Sequence, residues 1–226
     1  MLFIFIVMID SAQLLLFIPA ALALNITPGN DMLFCLGQSL KDGPRAGIAA
    51  SLGIATGGVI HTLLAAFGLA SLLAATPWAF EALRWAGVGY LIWLGIQSLR
   101  GDGIDFDSAT SLKQRSPVKN AKQRPSLYRP WRDGTIVNLF NPKVAIFILA
   151  FIPQFVDTNT GSTILQFLIL GAIFNVMGTA VNFLVALFAG KVRALFASNQ
   201  NFSKRFQKIT GAVYLALATK LAFEHR

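Results

Sequence analysis

The stretch Leu22–Gly37 reads LALNITPGNDMLFCLG. Its flanks are apolar enough to lie in a membrane, yet its middle carries Asn25, Thr27, Pro28, Gly29, Asn30 and Asp31. Proline at 28 removes a backbone donor, and glycine at 29 frees the next φ. In lipid each unpaired backbone group costs several kcal/mol, so such a break is tolerable only inside protein or beside a water-filled cavity. The break is read as the start of a new half-helix, with Asn30 or Asp31 as its N-cap. The positive end of that half-helix stabilises the Asp31 carboxylate, or a substrate carboxylate in its place.

The rest of the chain supports a membrane setting. Of 226 residues, 55% are hydrophobic and 13% charged, with mean hydropathy +0.62; a soluble domain carries about 25% charged residues. Six apolar runs read as spanning helices, at 2–26, 46–74, 78–99, 135–156, 163–189 and 210–223. The last is short and has an alternative start near Phe206. The first lacks a basic leader and is read as retained; Asp10 and Gln13 leave residues 1–9 as an extension, with Met8 an alternative start. The single cysteine, Cys35, excludes an intrachain disulfide and reads as a small apolar helix residue.

Charge gives the orientation. Fifteen of the nineteen Lys and Arg residues fall in the connections between spans one and two, three and four, and five and six. Positive charge marks the cytoplasmic side, so six spans with both termini outside is the consistent topology. Eight of the basic residues lie between Arg100 and Arg132, a Ser-, Gln- and Pro-containing stretch that reads as a cytoplasmic linker. It has no recognisable nucleic-acid-binding module, so lipid headgroup contact and topology account for its charge.

The linker divides two similar halves, 1–100 and 133–226, with 101–132 between them. GVGYL at Gly87–Leu91 matches GAVYL at Gly211–Leu215; Leu52-Gly53 matches Leu170-Gly171; and Pro28 matches Pro142. The order is the same in both halves. Three spans per half make the halves inverted relative to each other, and inverted repeats with a broken helix at equivalent positions are a transporter design. The second break is NLFNPK, Asn138–Lys143: Pro142 suits a first helical turn and Asn141 caps it. Lys143 puts a cation at a depth similar to Asp31. An ionisable group in mid-span costs roughly 2.5–3.5 kcal/mol and so faces inward and pairs, which makes Asp31 and Lys143 expected partners. The alternatives are an ordinary proline kink and a lysine that snorkels to the interface.

Other polar residues have plainer readings. His61, in GGVIHTLL, reads as a packed polar residue or as a proton carrier. Gly57-Gly58 allows close helix approach. Asn175 and Asn182 share a face and are read as hydrogen-bonding neighbouring helices, with lining the pathway as the alternative. Trp78, Trp85 and Trp131 read as interfacial belts, and the phenylalanines as lipid-facing bulk.

TPGNDMLFCLGQSLKDGPRAGIAASLGIATGGVIHTLLAAFGLASLL, WAGVGYLIWLGIQSLR and DGTIVNLFNPKVAIFILAFIPQFV together resemble the lysine exporter family, of LysE/RhtB type, from about Ala12 onward. The resemblance implies an inner-membrane secondary exporter of amino acids or close derivatives. It also implies coupling to an ion gradient, with the proton the expected ion, and a homodimer. In this chain Asn30 stands where the family turn usually has a second proline. Under that resemblance Pro28, Gly29, Asn30, Asp31, Asn141, Pro142, Lys143 and His61 form the candidate transport site. No cofactor is expected. A metal or other cation exporter of related fold would need clustered oxygens or Cys/His ligands, and an intramembrane enzyme would need a nucleophile–base pair; the spans offer neither. A non-transporting scaffold would not need broken helices.

Overall fold

The computed structural model describes residues 9, 11–75, 77–100, 126–157, 160–198 and 200–223. Most of the expected linker and the first eight residues lie outside these. Among the described residues there is no strand. The elements are α1 (Ser11–Ile26), α2 (Asn30–Asp42), α3 (Pro44–Ala75), α4 (Pro77–Arg100), α5 (Tyr128–Leu139), α6 (Pro142–Ile146), α7 (Thr163–Leu187), α8 (Ala189–Ser198) and α9 (Gln200–Phe223). α6 runs on as a π-helical turn, Phe147–Phe151, and a 3-10 turn, Ile152–Phe155.

Two described segments are long and apolar enough to cross a membrane, Pro44–Gly68 and Thr163–Leu187, each 25 residues. At 1.5 Å per residue that is about 37 Å, against roughly 30 Å of hydrocarbon. Tyr128–Leu139 and Pro142–Phe155 make a third when taken together, bent by 54° at Phe140-Asn141. α1 is a shorter apolar helix, ended by the Pro28-Gly29 break. α4 and α9 have 24 residues each but carry charge near their ends, Arg84 and Arg100 in one, Lys204, Arg205, Lys208 and Lys220 in the other. α9 begins at Gln200, ten residues before the expected start of the last span.

Small residues set the packing. α3 and α7 cross antiparallel: Asn175 Nδ2 donates to Ala55 O (2.9 Å) and Ser51 Oγ to Thr179 O (3.4 Å). A Cβ at Gly58 would meet the Asn175 side chain, and one at Gly171 the Thr62 side chain. α5 lies alongside α3 in the same direction, with Gly134 on Ala50, Gly53 on Trp131 and Gly57 on Asn138. α4 and α9 pair antiparallel through Gly95 and Gly211, with Ser98 Oγ donating to Gln207 O (2.7 Å). In lipid, helices gain little from excluding water, so close van der Waals contact and interhelical hydrogen bonds must hold them. The Gly57-Gly58 and Asn175 readings therefore hold.

The phenylalanines correct their reading. Phe17, Phe147, Phe151, Phe155, Phe167 and Phe174 are buried, while Phe67, Phe140, Phe188 and Phe223 are exposed. Phe147, Phe151 and Phe155 recur every fourth residue, so they share a face of the α6 continuation. That face stacks on Phe174 (4.5 Å between centroids from Phe147) and meets Phe17 edge-on (5.2 Å from Phe155). Offset and edge contacts of this kind suit the ring quadrupole. Trp78 and Trp85 are exposed as a belt requires. Trp131 instead docks on α3, its Nε1 donating to Thr56 Oγ1 (3.2 Å).

These contacts set a stability contrast. A Cβ at Gly53 would lie 1.9 Å from the Trp131 carbonyl oxygen, whereas one at Gly89 meets nothing within 4 Å. Gly53→Ala should cost about 1–3 kcal/mol through overpacking, and Gly89→Ala close to nothing. Thermal unfolding of the two variants in detergent, followed by loss of monodisperse protein, checks this; equal midpoints would refute the α3–α5 contact.

Candidate functional site

The first break begins where α1 runs into Pro28. Thr27 still bonds back to Ala23 O, through its N–H (3.1 Å) and its Oγ1 (2.7 Å). Pro28 has no N–H to continue the ladder. α2 then starts at Asn30 with Gly29 as N-cap, which makes no side-chain cap bond. Neither Asn30 nor Asp31 caps it, contrary to the sequence reading. They sit one and two residues inside the first turn, because the extended residue is Gly29, at φ −163°. Any residue adopts that φ, so glycine is not required there for conformational freedom. Space is tight instead: a Cβ at position 29 would lie 3.2 Å from Lys143 Nζ, so the lysine tip would have to give by a few tenths of an ångström.

The second break follows the sequence reading closely. Asn141 is the N-cap of α6, its Oδ1 accepting from Lys143 N (3.1 Å), and Pro142 takes the first helical position. Asn141 then uses its other end across the gap: its Nδ2 donates to Asp31 Oδ1 (2.9 Å). Asn138, one turn earlier, donates to Asp31 Oδ2 (2.8 Å). Both carboxylate oxygens of the first break are thus held by amides of the second. Lys143 reciprocates, with Nζ donating to Thr27 O (2.8 Å), the carbonyl just before the break.

The expected Asp31–Lys143 ion pair is absent. Among the described residues the ion pairs are Lys41–Asp42, Glu81–Arg84 and Arg132–Asp133. The reason is geometric. The amides of Asn138 and Asn141 occupy the carboxylate, and the Thr27 carbonyl lies nearer the ammonium. The two charges nevertheless share a wall of a small chamber of about 20 Å³, bordered also by Asn25, Asn182 and Phe174. That is room for about one water.

A larger cavity, about 430 Å³, opens on the other side of the breaks. Thr27, Pro28, Gly29, Asn30, Pro142 and Lys143 line one wall. Tyr90 and Trp93 of α4 and Phe206 and Tyr214 of α9 line the facing wall. The cavity runs toward Gln97, Ser98 and Gln207. In the opposite direction the phenylalanine cluster, with Val88, Leu217 and Leu221, closes the core. The cavity therefore extends along α4 and α9 toward Gln97, Ser98 and Gln207, away from the phenylalanine cluster.

His61 lines neither space. Its Nε2 lies 3.3 Å from Asn138 O, so it fastens the end of α5 to α3 and supports an Asp31 donor indirectly. Of the eight candidate residues, seven surround the breaks and His61 sits one layer back. The sequence reading missed Asn138, although its spacing of three from Asn141 puts both on one side of the helix end. It also used the Gly-x-x-Tyr-Leu motifs only as repeat markers, whereas Tyr90 and Tyr214 both border the large cavity. Among the described residues no three His, Cys, Asp or Glu side chains group as a metal site would.

Residues 22–225 match the family model described as LysE type translocator. A homoserine/homoserine lactone efflux protein of Salmonella typhimurium is 32% identical over 200 residues, covering 88% of this chain and 90% of the relative. An uncharacterized membrane protein of Bacillus subtilis is 31% identical over 211 residues, covering 92% and 97%. One of Pseudomonas aeruginosa is 32% identical over 200 residues, covering 87% and 88%. No solved structure matches the chain.

The two asparagines should differ in worth. Asn141→Ala removes a helix cap, about 1 kcal/mol, and a bond to a carboxylate, about 1.5–3 kcal/mol. Asn138→Ala removes only the latter. Asn141→Ala should therefore unfold at the lower temperature, with both variants below the parent. Equal midpoints would show that the α6 cap adds nothing to the α2–α6 junction.

Proposed function

This chain belongs to the LysE type translocator family, and from that premise we propose that it exports amino acids or close derivatives by proton antiport. The observation that carries this is the reciprocal pair of breaks. Each supplies a charge to the other, and both face a cavity of ligand size. Buried charge and broken helix in mid-membrane are costly and mark substrate and ion pathways. In this reading Lys143, with the uncharged amides of Asn30 and Asn141, receives the substrate carboxylate. Asp31, held in the chamber behind, accepts and releases the coupling proton. His61 keeps Asn138 in place.

The two halves are read as inverted repeats, with α4 and α9 completing six spans and both termini outside. A set of contacts supports the repeat. Asn25, ahead of the first break, packs on Gly178 of α7, and Asn138, ahead of the second, packs on Gly57 of α3. The two contacts are alike in kind, an asparagine just before a break set against a glycine of the long helix of the other half, though they lie one to three residues out of the register of the Pro28/Pro142 and Gly53/Gly171 matches. The cavity extends toward the ends of α4 and α9 that carry Arg100, Lys204, Arg205 and Lys208, and is read as opening there. With positive charge inside, the conformation faces the cytoplasm, and the phenylalanine cluster closes the outer path.

Two experiments test these readings. In reconstituted vesicles, Lys143→Met should lower amino-acid efflux about 10- to 100-fold, the worth of a charged hydrogen bond. It should still assemble, because Asp31 keeps both amide donors. Asp31→Asn should abolish substrate-driven proton flux; proton movement at the parent stoichiometry would exclude Asp31 as the coupling group. For orientation, Lys119→Cys should react with an impermeant maleimide in inverted vesicles and not in intact cells, with buried Cys35 giving little background. Labelling in intact cells would reverse the topology.

A further inference from the structure

Around the large cavity the charged groups are unevenly placed. Lys143 is the one charged side chain among its described lining residues, and no carboxylate joins it. Asp31 borders only the small chamber, behind Gly29, Asn141 and Lys143. Of the lysine's three N–H donors, Thr27 O takes one. The facing wall is aromatic. Tyr90 and Trp93 lie 5.6 Å apart and tilted by 32°, and Phe206 stands 5.7 Å from Phe196, edge to face. Leu94 and Tyr214 fill the wall between α4 and α9.

We propose that this wall is a side-chain subsite, formed chiefly by Tyr90, Trp93 and Phe206, and that it selects α-amino acids with bulky, uncharged, apolar side chains. The proposal rests on the export reading above and adds its specificity. A single cation opposite an uncharged wall matches one carboxylate. A basic side chain would bring a second cation with no carboxylate to meet it. An acidic one would bring a second anion with one lysine already engaged. Burying either unpaired charge is strongly unfavourable. Against the rings of Tyr90, Trp93 and Phe206 an apolar side chain gains contact that a small hydroxylated one does not, while Gln97, Ser98, Gln207 and Thr210 line the rest of the cavity without charge.

The test is competitive efflux from proteoliposomes loaded with an equimolar mixture of leucine, phenylalanine, methionine, homoserine, lysine and glutamate, read by mass spectrometry. The parent protein should release leucine, phenylalanine and methionine at least about tenfold faster than homoserine, a difference of about 1.4 kcal/mol, with lysine and glutamate at the level of protein-free vesicles. Trp93→Ala should lower kcat/KM for the bulky substrates at least about tenfold more than for homoserine, with the yield of monodisperse protein in detergent matching the parent, which separates subsite loss from misfolding. Gln97→Glu, placing a carboxylate on the lining, should raise lysine efflux above background. Efflux of homoserine or lysine ahead of the bulky substrates, or no change in preference with Trp93→Ala, would overturn the subsite and leave the export reading standing. Release of none of the six above protein-free vesicles would overturn both.

Discussion

Everything near the centre of this molecule depends on a reciprocal stitch between two broken helices. An interrupted helix in an apolar medium exposes donors and acceptors that water cannot reach. Here the first break offers a carboxylate and a free carbonyl, and the second offers two amides and an ammonium. Asn138 and Asn141 hold Asp31, and Lys143 holds Thr27 O. Each break is the solvent of the other. Charge-assisted hydrogen bonds of this kind are about twice as strong as neutral ones, so the junction is stiff although its backbone is irregular. The close approach it needs suits Gly29, whose missing side chain leaves room for the lysine tip.

The stitch works only if the helices carrying it come close, and glycine provides that. Gly57 admits the Asn138 side chain, and Gly178 admits Asn25, whose Nδ2 also donates to Phe174 O (3.2 Å). Gly53 and Gly134 bring α3 and α5 into backbone contact. Such contacts replace the hydrophobic effect that lipid does not supply between helices. They tie the geometry of the breaks to the two long helices, α3 and α7, that cross beside them.

Much of this was legible in the sequence, for identifiable reasons. Proline and glycine breakers act locally, so both breaks stood where expected, and the Asn141 cap with Pro142 behind it is a purely local signal. The glycine pairs were legible too, because small residues in apolar runs have few other uses. What failed were pairings across the fold. Two opposite charges at similar depth suggested an ion pair, but sequence gives no distances, and amides reached Asp31 first. The N-cap of α2 was misplaced by one or two residues, since Asn and Asp are intrinsically better caps than glycine. The phenylalanines were read by composition alone. The four-residue spacing of Phe147, Phe151 and Phe155 held the correct answer, but periodicity marks a face without saying whether it meets lipid or protein.

Under the export reading proposed above, the missing ion pair is what would leave the site usable. Had Lys143 and Asp31 been joined, a substrate carboxylate would have to displace another carboxylate, and separating a buried pair costs about 3–5 kcal/mol. Lys143 is instead bound to a neutral carbonyl, a weaker partner. An incoming carboxylate can therefore be favoured over Thr27 O without uncovering Asp31, whose own donors stay in place. Exchanging that partner frees the Thr27 carbonyl, which belongs to the last residue before the break. Occupancy of the cavity is thereby linked to the joint between α1 and α2, and α1 carries Phe17, which packs against the aromatic cluster that lies at the other end. Under the export reading proposed above, substrate binding at Lys143 and closure by Phe17 would act on the same short helix, the connection that a gate coupled to cargo requires.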